Sequence, residues 1–541
     1  MRSTISGALA VLAASAAAAA VAATAAASPG LPATWPPATH PVPSGQASAP
    51  TANLAGPWKP LTHKPSFETG TMLLQSDGTV LVHVETGEAG GTTEWWRLTP
   101  DAKGEYVDGT WSKVASMPGG YDPLYFASAI LPDGQMIVEG GEYLGGTPTW
   151  TNEGAIFNPV SGTWRRVAPP EGWTNIGDAE SDVLANGTFM LAQACSECLS
   201  SEPKASTKIA LFNQSNLGWL TFSPPGKIDP NDEEGWTLMP SGDLLTVDTW
   251  LTPSTELFDP ATTSWSFAGN TVVSPVDSGV AEIGPQVGMP SGNVFVVGAG
   301  SADEADSYPT CLAHKPAADA LYDYAAAKWV KAPSIPTIEG TQYSSADGPG
   351  TILPDGNVLF DASPCYGDPP LVFYEYEPST NKLTPVGDVA DAAGDATYFT
   401  RLLALPNGQI LFGDSGRPEV YTAGGTANPA WAPVVRSLSA TTLRPGQTAT
   451  LSGLQLAGVD QGAAYGDDVQ DHTNFPLVRI TDTKTGVVTY ARTSNWTSAS
   501  VAPGMSSSTE FTVAKTTPAG PSTLTVVANG IASAPVPVTI K

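Results

Sequence analysis

The stretch Leu131-Pro132-Asp133-Gly134-Gln135-Met136-Ile137-Val138-Glu139-Gly140-Gly141 constrains this chain most, because its pattern recurs. An apolar run, a bend and a second apolar run ending in glycines predict a β-hairpin with a two-residue turn. The turn glycine returns at Gly78, Gly134, Gly187, Gly242, Gly292, Gly356 and Gly408, at spacings of 50 to 64 residues. A unit of that size cannot bury its apolar face alone, so seven copies predict a seven-bladed β-propeller. Each copy ends in a third strand with an aromatic and a fourth strand opened by tryptophan, as in Phe157 with Trp164 and Phe258 with Trp265. With Trp111, Trp219 and Trp329, these tryptophans are expected to seal blade against blade rather than to stack on a ligand.

The blades occupy 56–432. From about Val434 short alternating strands without the Pro-Asp-Gly bend, such as Leu477-Val478-Arg479-Ile480 and Thr523-Leu524-Thr525-Val526, predict an immunoglobulin-like β-sandwich over 433–541. The fold class is therefore all-β, consistent with only 14% charged residues and no sustained helical period. Before the blades, 1–27 reads as a secretory signal with Ala25-Ala26-Ala27 at its cleavage site, and 28–55 as a Pro/Ala-rich linker. Trp58-Lys59-Pro60-Leu61 is expected to be a short strand that closes the ring, since an open sheet edge invites aggregation.

Without Arg2, 23 basic residues face 52 acidic ones, a formal charge of -29. So acidic a surface repels phosphate backbones and anionic lipid, which excludes nucleic acid and membrane insertion and leaves cations and neutral solutes. In an exported chain Cys195, Cys198, Cys311 and Cys365 are expected as disulfides, the favoured pairing being Cys195–Cys198 and Cys311–Cys365. The mature protein is expected outside the cell as a monomer.

Seven hairpin units with trailing tryptophans and a terminal sandwich resemble the galactose oxidase and glyoxal oxidase family of kelch-type propellers. Tyr465-Gly466-Asp467-Asp468 leading to Asn474-Phe475-Pro476-Leu477 looks like the loop this family sends into its active site. The resemblance implies copper held by two tyrosines and two histidines, one tyrosine being cross-linked to a cysteine. Tyr125 matches the cross-linked position, but Thr69 stands where its thiol partner would be. Tyr398-Phe399 replaces a Tyr-His pair, and Gly466 falls where the loop's histidine would be, with His472 six residues away. Copper(II) favours nitrogen donors, so copper is not expected here.

The same offset, seven residues ahead of each bend, selects Thr69, Tyr125, Asp178, Glu233, Ile283, Asp347 and Phe399, with Glu68, Asp232 and Glu282 adjacent and Tyr343 and Arg401 nearby. Asp178, Glu233, Asp347, Tyr125 and Tyr398 are the candidate catalytic residues; Glu68, Asp232, Glu282, Tyr343 and Arg401 are the candidate binding residues. Three readings stay open: a carboxylate pair that cleaves a glycosidic bond, an oxygen-only calcium site, and a rim that recognises an extracellular glycan or small polyol without chemistry. The further alternatives are a copper-dependent oxidase of alcohols or aldehydes with a non-standard site, which the resemblance implies, and a non-catalytic interaction or scaffold protein. No Gly-x-Ser-x-Gly or His-Glu-x-x-His occurs, and histidines number five, so serine hydrolase and zinc protease chemistry are not expected.

Overall fold

The computed structural model describes residues 57–87, 90–177, 180–200, 204–277, 281–300, 316–364, 367–414, 416–462 and 472–541. Asp178, Cys311, His314, Cys365 and 465–468 lie outside them, as do the signal and linker segments. Among the described residues no helix is long and apolar enough to cross a membrane.

The bends set the architecture. At each of the seven turn glycines φ lies between 75° and 94°, a region that costs a residue with a Cβ and costs glycine nothing. Gly134 N–H donates to Leu131 O at 2.7 Å and Leu131 N–H to Gln135 O at 2.8 Å, so three residues, Pro132-Asp133-Gly134, form the loop instead of two. Proline's fixed φ suits the first position of a type I bend, and the glycine then supplies the left-handed bulge. The same glycine-to-carbonyl bond recurs at all seven sites.

Each bend joins the first two strands of an antiparallel sheet. Sheet 1 holds Glu68–Leu74, Val80–Glu85, Gly91–Thr99 and Thr110–Lys113. Sheets 2 to 6 begin with Ala127–Ile130, Ser181–Val183, Thr237–Leu238, Gln286–Gly288 and Gly350–Ile352. Sheet 7 begins with Arg401–Ala404 and takes its outer strand, Trp58–Pro60, from the start of the described chain, Trp58 pairing with Tyr421. The first strand of every sheet touches the first strand of the next, and sheet 7 touches sheet 1, so the seven sheets close a ring. Apolar residues of the second strands, among them Val80, Ile137, Leu191, Leu245, Phe295 and Phe360, are fully buried. Tryptophans tie neighbouring sheets together: Trp164 Nε1 donates to Ala115 O and Trp219 Nε1 to Ala168 O, both at 2.9 Å.

The terminal unit is a nine-stranded arrangement from Val434–Leu438 to Val536–Ile540, around Leu451, Val478, Ile480, Phe511 and Leu524. It meets the ring at the bends: Ser76 Oγ donates to Thr493 O at 2.8 Å and Ala499 N–H to Ala185 O at 3.0 Å. Residues seven positions upstream of the bends therefore sit at the far ends of the inner strands. From the terminal unit, Gln461 reaches between those strands, exchanging both backbone hydrogen bonds with Gly288. A cavity of about 660 Å³ at the seam with sheet 1, lined by Asp101, Val488, Tyr490, Arg492 and Lys515 among others, involves none of the upstream residues.

Candidate functional site

At the far ends of the inner strands the backbone takes an uncommon turn. Tyr125, Glu233 and Asp347, all seven residues before their bends, have φ of 51°, 56° and 50°. Ala281, beside Glu282, has φ of 67°. A non-glycine residue in this region costs about 1–3 kcal/mol and persists only where surrounding contacts impose it. Here Asp347 N–H donates to Ile283 O at 3.3 Å and Asp277 N–H to Glu282 O at 2.8 Å, which locks the segments ahead of sheets 5 and 6 together.

The consequence is a carboxylate trio. One oxygen each from Glu233, Glu282 and Asp347 lies within 4.8 Å of the other two. Glu282 and Asp347 are only 5% exposed, while Glu233 is half-buried at the surface of the group. Asp232, next in the chain, turns away and accepts from Trp250 Nε1 at 3.0 Å. This ties a half-buried indole to the residue adjoining Glu233 in the chain. Trp250 was not legible as a site residue because tryptophan recurs throughout the chain, both on the fourth strands and, as at Trp150, Trp173 and Trp236, away from them.

A second group gathers on Arg401. Its Nη1 donates to Tyr398 O at 3.0 Å and Thr400 O at 2.8 Å, and its guanidinium carbon stands 6.0 Å from the Tyr125 ring centroid. Tyr125 also meets Tyr143 edge-on, and Tyr398 lies against Phe399 at 4.2 Å. Arg401 acts on Glu85 too. Burial would raise the Glu85 carboxyl, but hydrogen bonds from His83 and Thr71 N–H and the charge of Arg401 outweigh it and hold its pKa down.

Two candidates fall elsewhere. Glu68 is exposed and accepts from Gly87 N–H at 3.0 Å. Tyr343 belongs to an apolar cluster with Tyr374 and Phe360, and burial, with Asp388 and Glu339 adding, raises its pKa. Cys195 and Cys198 are disulfide-bonded.

No protein-family model matches the chain, and no curated protein matches it. Among solved structures, a fungal alcohol oxidase of the AA5 family in complex with copper matches with a TM-score of 0.50 and 14% identity, over 90% of this chain and 99% of that one. The chain has a galactose-oxidase-like fold. The structure of YjhT also matches, with a TM-score of 0.40 and 17% identity, over 60% of this chain and 99% of that one.

Within this galactose-oxidase-like fold a copper ion would call on tyrosine and histidine side chains. The Tyr125 ring lies beside the Arg401 guanidinium, a fixed positive charge that disfavours a second cation, whereas Tyr398 meets Arg401 through its backbone carbonyl. His63 Nδ1 is bonded to Gly109 O, and His83 to Glu85 and Thr92 O. His472 packs on Phe475 with both ring nitrogens buried and without a hydrogen-bond partner among the described residues, and burial pushes its pKa down to about 3, which keeps the imidazole neutral. Both groupings of metal-ligand atoms among the described residues consist of carboxylates alone.

Proposed function

We propose that the chain is an exported, seven-bladed kelch-type propeller backed by an immunoglobulin-like sandwich, and that it binds an extracellular carbohydrate or small polyol at its acidic mouth. The carrying observation is the trio Glu233, Glu282 and Asp347, gathered from three successive sheets by left-handed backbone at or beside each acid. Carboxylate oxygens accept hydrogen bonds from vicinal hydroxyls, and an ionised acceptor makes such a bond about twice as strong as a neutral one. Trp250 supplies an apolar face against which a sugar ring can stack. Export is supported by the signal-like 1–27 segment and the Cys195–Cys198 disulfide.

One observation favours cleavage as a second reading. Oxygens within 4.8 Å approach the carboxyl separation of about 5–5.5 Å found in retaining glycosidases. A glycan array probed with the parent, Glu233→Gln and Asp347→Asn tests both readings. Binding predicts loss of retention in the variants, and cleavage predicts in addition that reducing ends released by the parent disappear. Equal retention by all three proteins would remove the proposal.

A further inference from the structure

Directly behind Glu233 the chain buries a second acidic cluster that the mouth does not use. Asp229, Glu234, Asp248 and Glu256 are each no more than 1% exposed, and Lys227 is the one cation bonded to them among the described residues. Lys227 Nζ donates to Glu234 Oε1 and Glu256 Oε2, both at 2.6 Å, with its ammonium 5.0 Å from the centroid of Trp265. Glu256 is completed by Ile228 N–H at 2.8 Å. Asp229 Oδ2 accepts from Trp250 N–H at 3.3 Å, but Asp229 Oδ1 and both oxygens of Asp248 have no hydrogen-bond partner. One oxygen from each of Asp229, Glu234 and Asp248 lies within 4.8 Å of the other two.

Four carboxylates against one ammonium leave an excess of negative charge in a site without water-exposed surface, an expensive arrangement unless compensated. Protonation removes charge and lets Glu234 share its proton with Asp229, yet it leaves both oxygens of Asp248 with nothing among the described residues to accept from. A cation corrects both faults at once. Three oxygens spread evenly round one ion at about 2.6 Å stand about 4.5 Å apart, so a trio within 4.8 Å is of the size that calcium takes. Magnesium, at about 2.1 Å and in strict octahedral geometry, asks for a tighter group and usually keeps several waters, which a site without exposed surface does not offer.

We infer that Asp229, Glu234 and Asp248 bind one calcium-class cation, which pins the segment 229–234 and thereby presents Glu233 and Trp250 at the surface. None of its three ligands belongs to the trio Glu233, Glu282 and Asp347, so this site stands whether or not the mouth binds sugar.

The test uses chelator-stripped full-length mature protein and terbium(III), a calcium analogue that luminesces when excited through a nearby indole. Trp236 Nε1 donates to Glu234 Oε2 at 3.4 Å, so the site carries its own antenna. The expected result is sensitised luminescence saturating near one ion per chain and displaced by calcium. Calcium at about 100 times its Kd should also raise Tm by roughly 2–3 °C in a chain of this size. Asp248→Asn should weaken terbium binding at least about tenfold and abolish the Tm response, with metal-free Tm unchanged or higher because a buried charge is gone. Glu233→Gln should keep both signals. Should Asp248→Asn fail to fold, Asp229→Asn reads the same loss. No luminescence and no Tm response in the parent would overturn the site. So would signals lost in Glu233→Gln but kept in Asp248→Asn, which would move the ion to the mouth.

Discussion

Gln461 Nε2 donates to Asp182 Oδ1 at 2.8 Å across 279 residues of sequence, while Gln461 Oε1 accepts from Leu238 N–H. One side chain of the terminal unit thus ties together the inner strands of sheets 3 and 4. Removing it leaves a buried carboxyl and a buried amide without their partner. Gln461→Ala is expected to cost about 2–4 kcal/mol. Urea unfolding at pH 7 measures it, and a loss under about 0.5 kcal/mol would show that the link is not needed.

The same contact sets a pH dependence. Burial raises the Asp182 carboxyl from its ordinary 3.8 to about 8, against weaker opposing hydrogen bonds from Val183 N–H and Gln461. The folded state then binds the proton more tightly than the unfolded one. Its contribution is fully present below the unfolded value of 3.8 and is lost as pH rises through about 8. His472 runs the other way: with a folded pKa of about 3 against 6.5, its contribution is present above 6.5 and lost as pH falls towards 3. Tm of Asp182→Asn relative to the parent should therefore be higher at pH 8 than at pH 4.5. A difference independent of pH would contradict the shift.

Gly70 and Glu85 form a paired requirement. A Cβ at position 70 would fall 1.8 Å from Glu85 Cδ, where the carboxylate accepts from Thr71 N–H at 3.0 Å. Gly70→Ala is expected to destabilise by about 3 kcal/mol or more by expelling a buried, hydrogen-bonded charge. In the double variant with Glu85→Ala the losses should sum to less than additivity, as chemical denaturation of the four proteins would show.

The Arg401 guanidinium beside the Tyr125 ring bears on copper. Adding copper(II) to the purified protein should give no phenolate-to-copper absorption band and no peroxide from primary alcohols. A band that vanishes in Tyr125→Phe would return the oxidase reading to the front.

The seven hairpins were legible because bend chemistry is local: proline and glycine set φ whatever the surroundings. The strand at Trp58 was legible because a ring of sheets leaves an edge to be paired. Counting back from the bends led to Glu233 and Asp347, with Glu282 as a neighbour, since residues at one register of equivalent strands share one end of a ring. The count could not reveal that Tyr343 turns into an apolar cluster, because its strand pairs with Ser363 and Pro364, beyond the hairpin's own register. Nor could it find Lys227 or Gln461, whose roles depend on partners 29 and 279 residues away. A two-residue bend was expected where three residues turn, because proline at its first position excludes the left-handed start that the shorter bend demands.

The central claim is that three acids from successive sheets form one ligand site. Calorimetric titration of the best glycan-array ligand into the parent and into Glu233→Gln, Glu282→Gln and Asp347→Asn tests it most directly. The account predicts that each variant loses at least about tenfold in affinity, roughly 1.4 kcal/mol, while its Tm stays within a few degrees of the parent. Unchanged affinity in all three variants would contradict it.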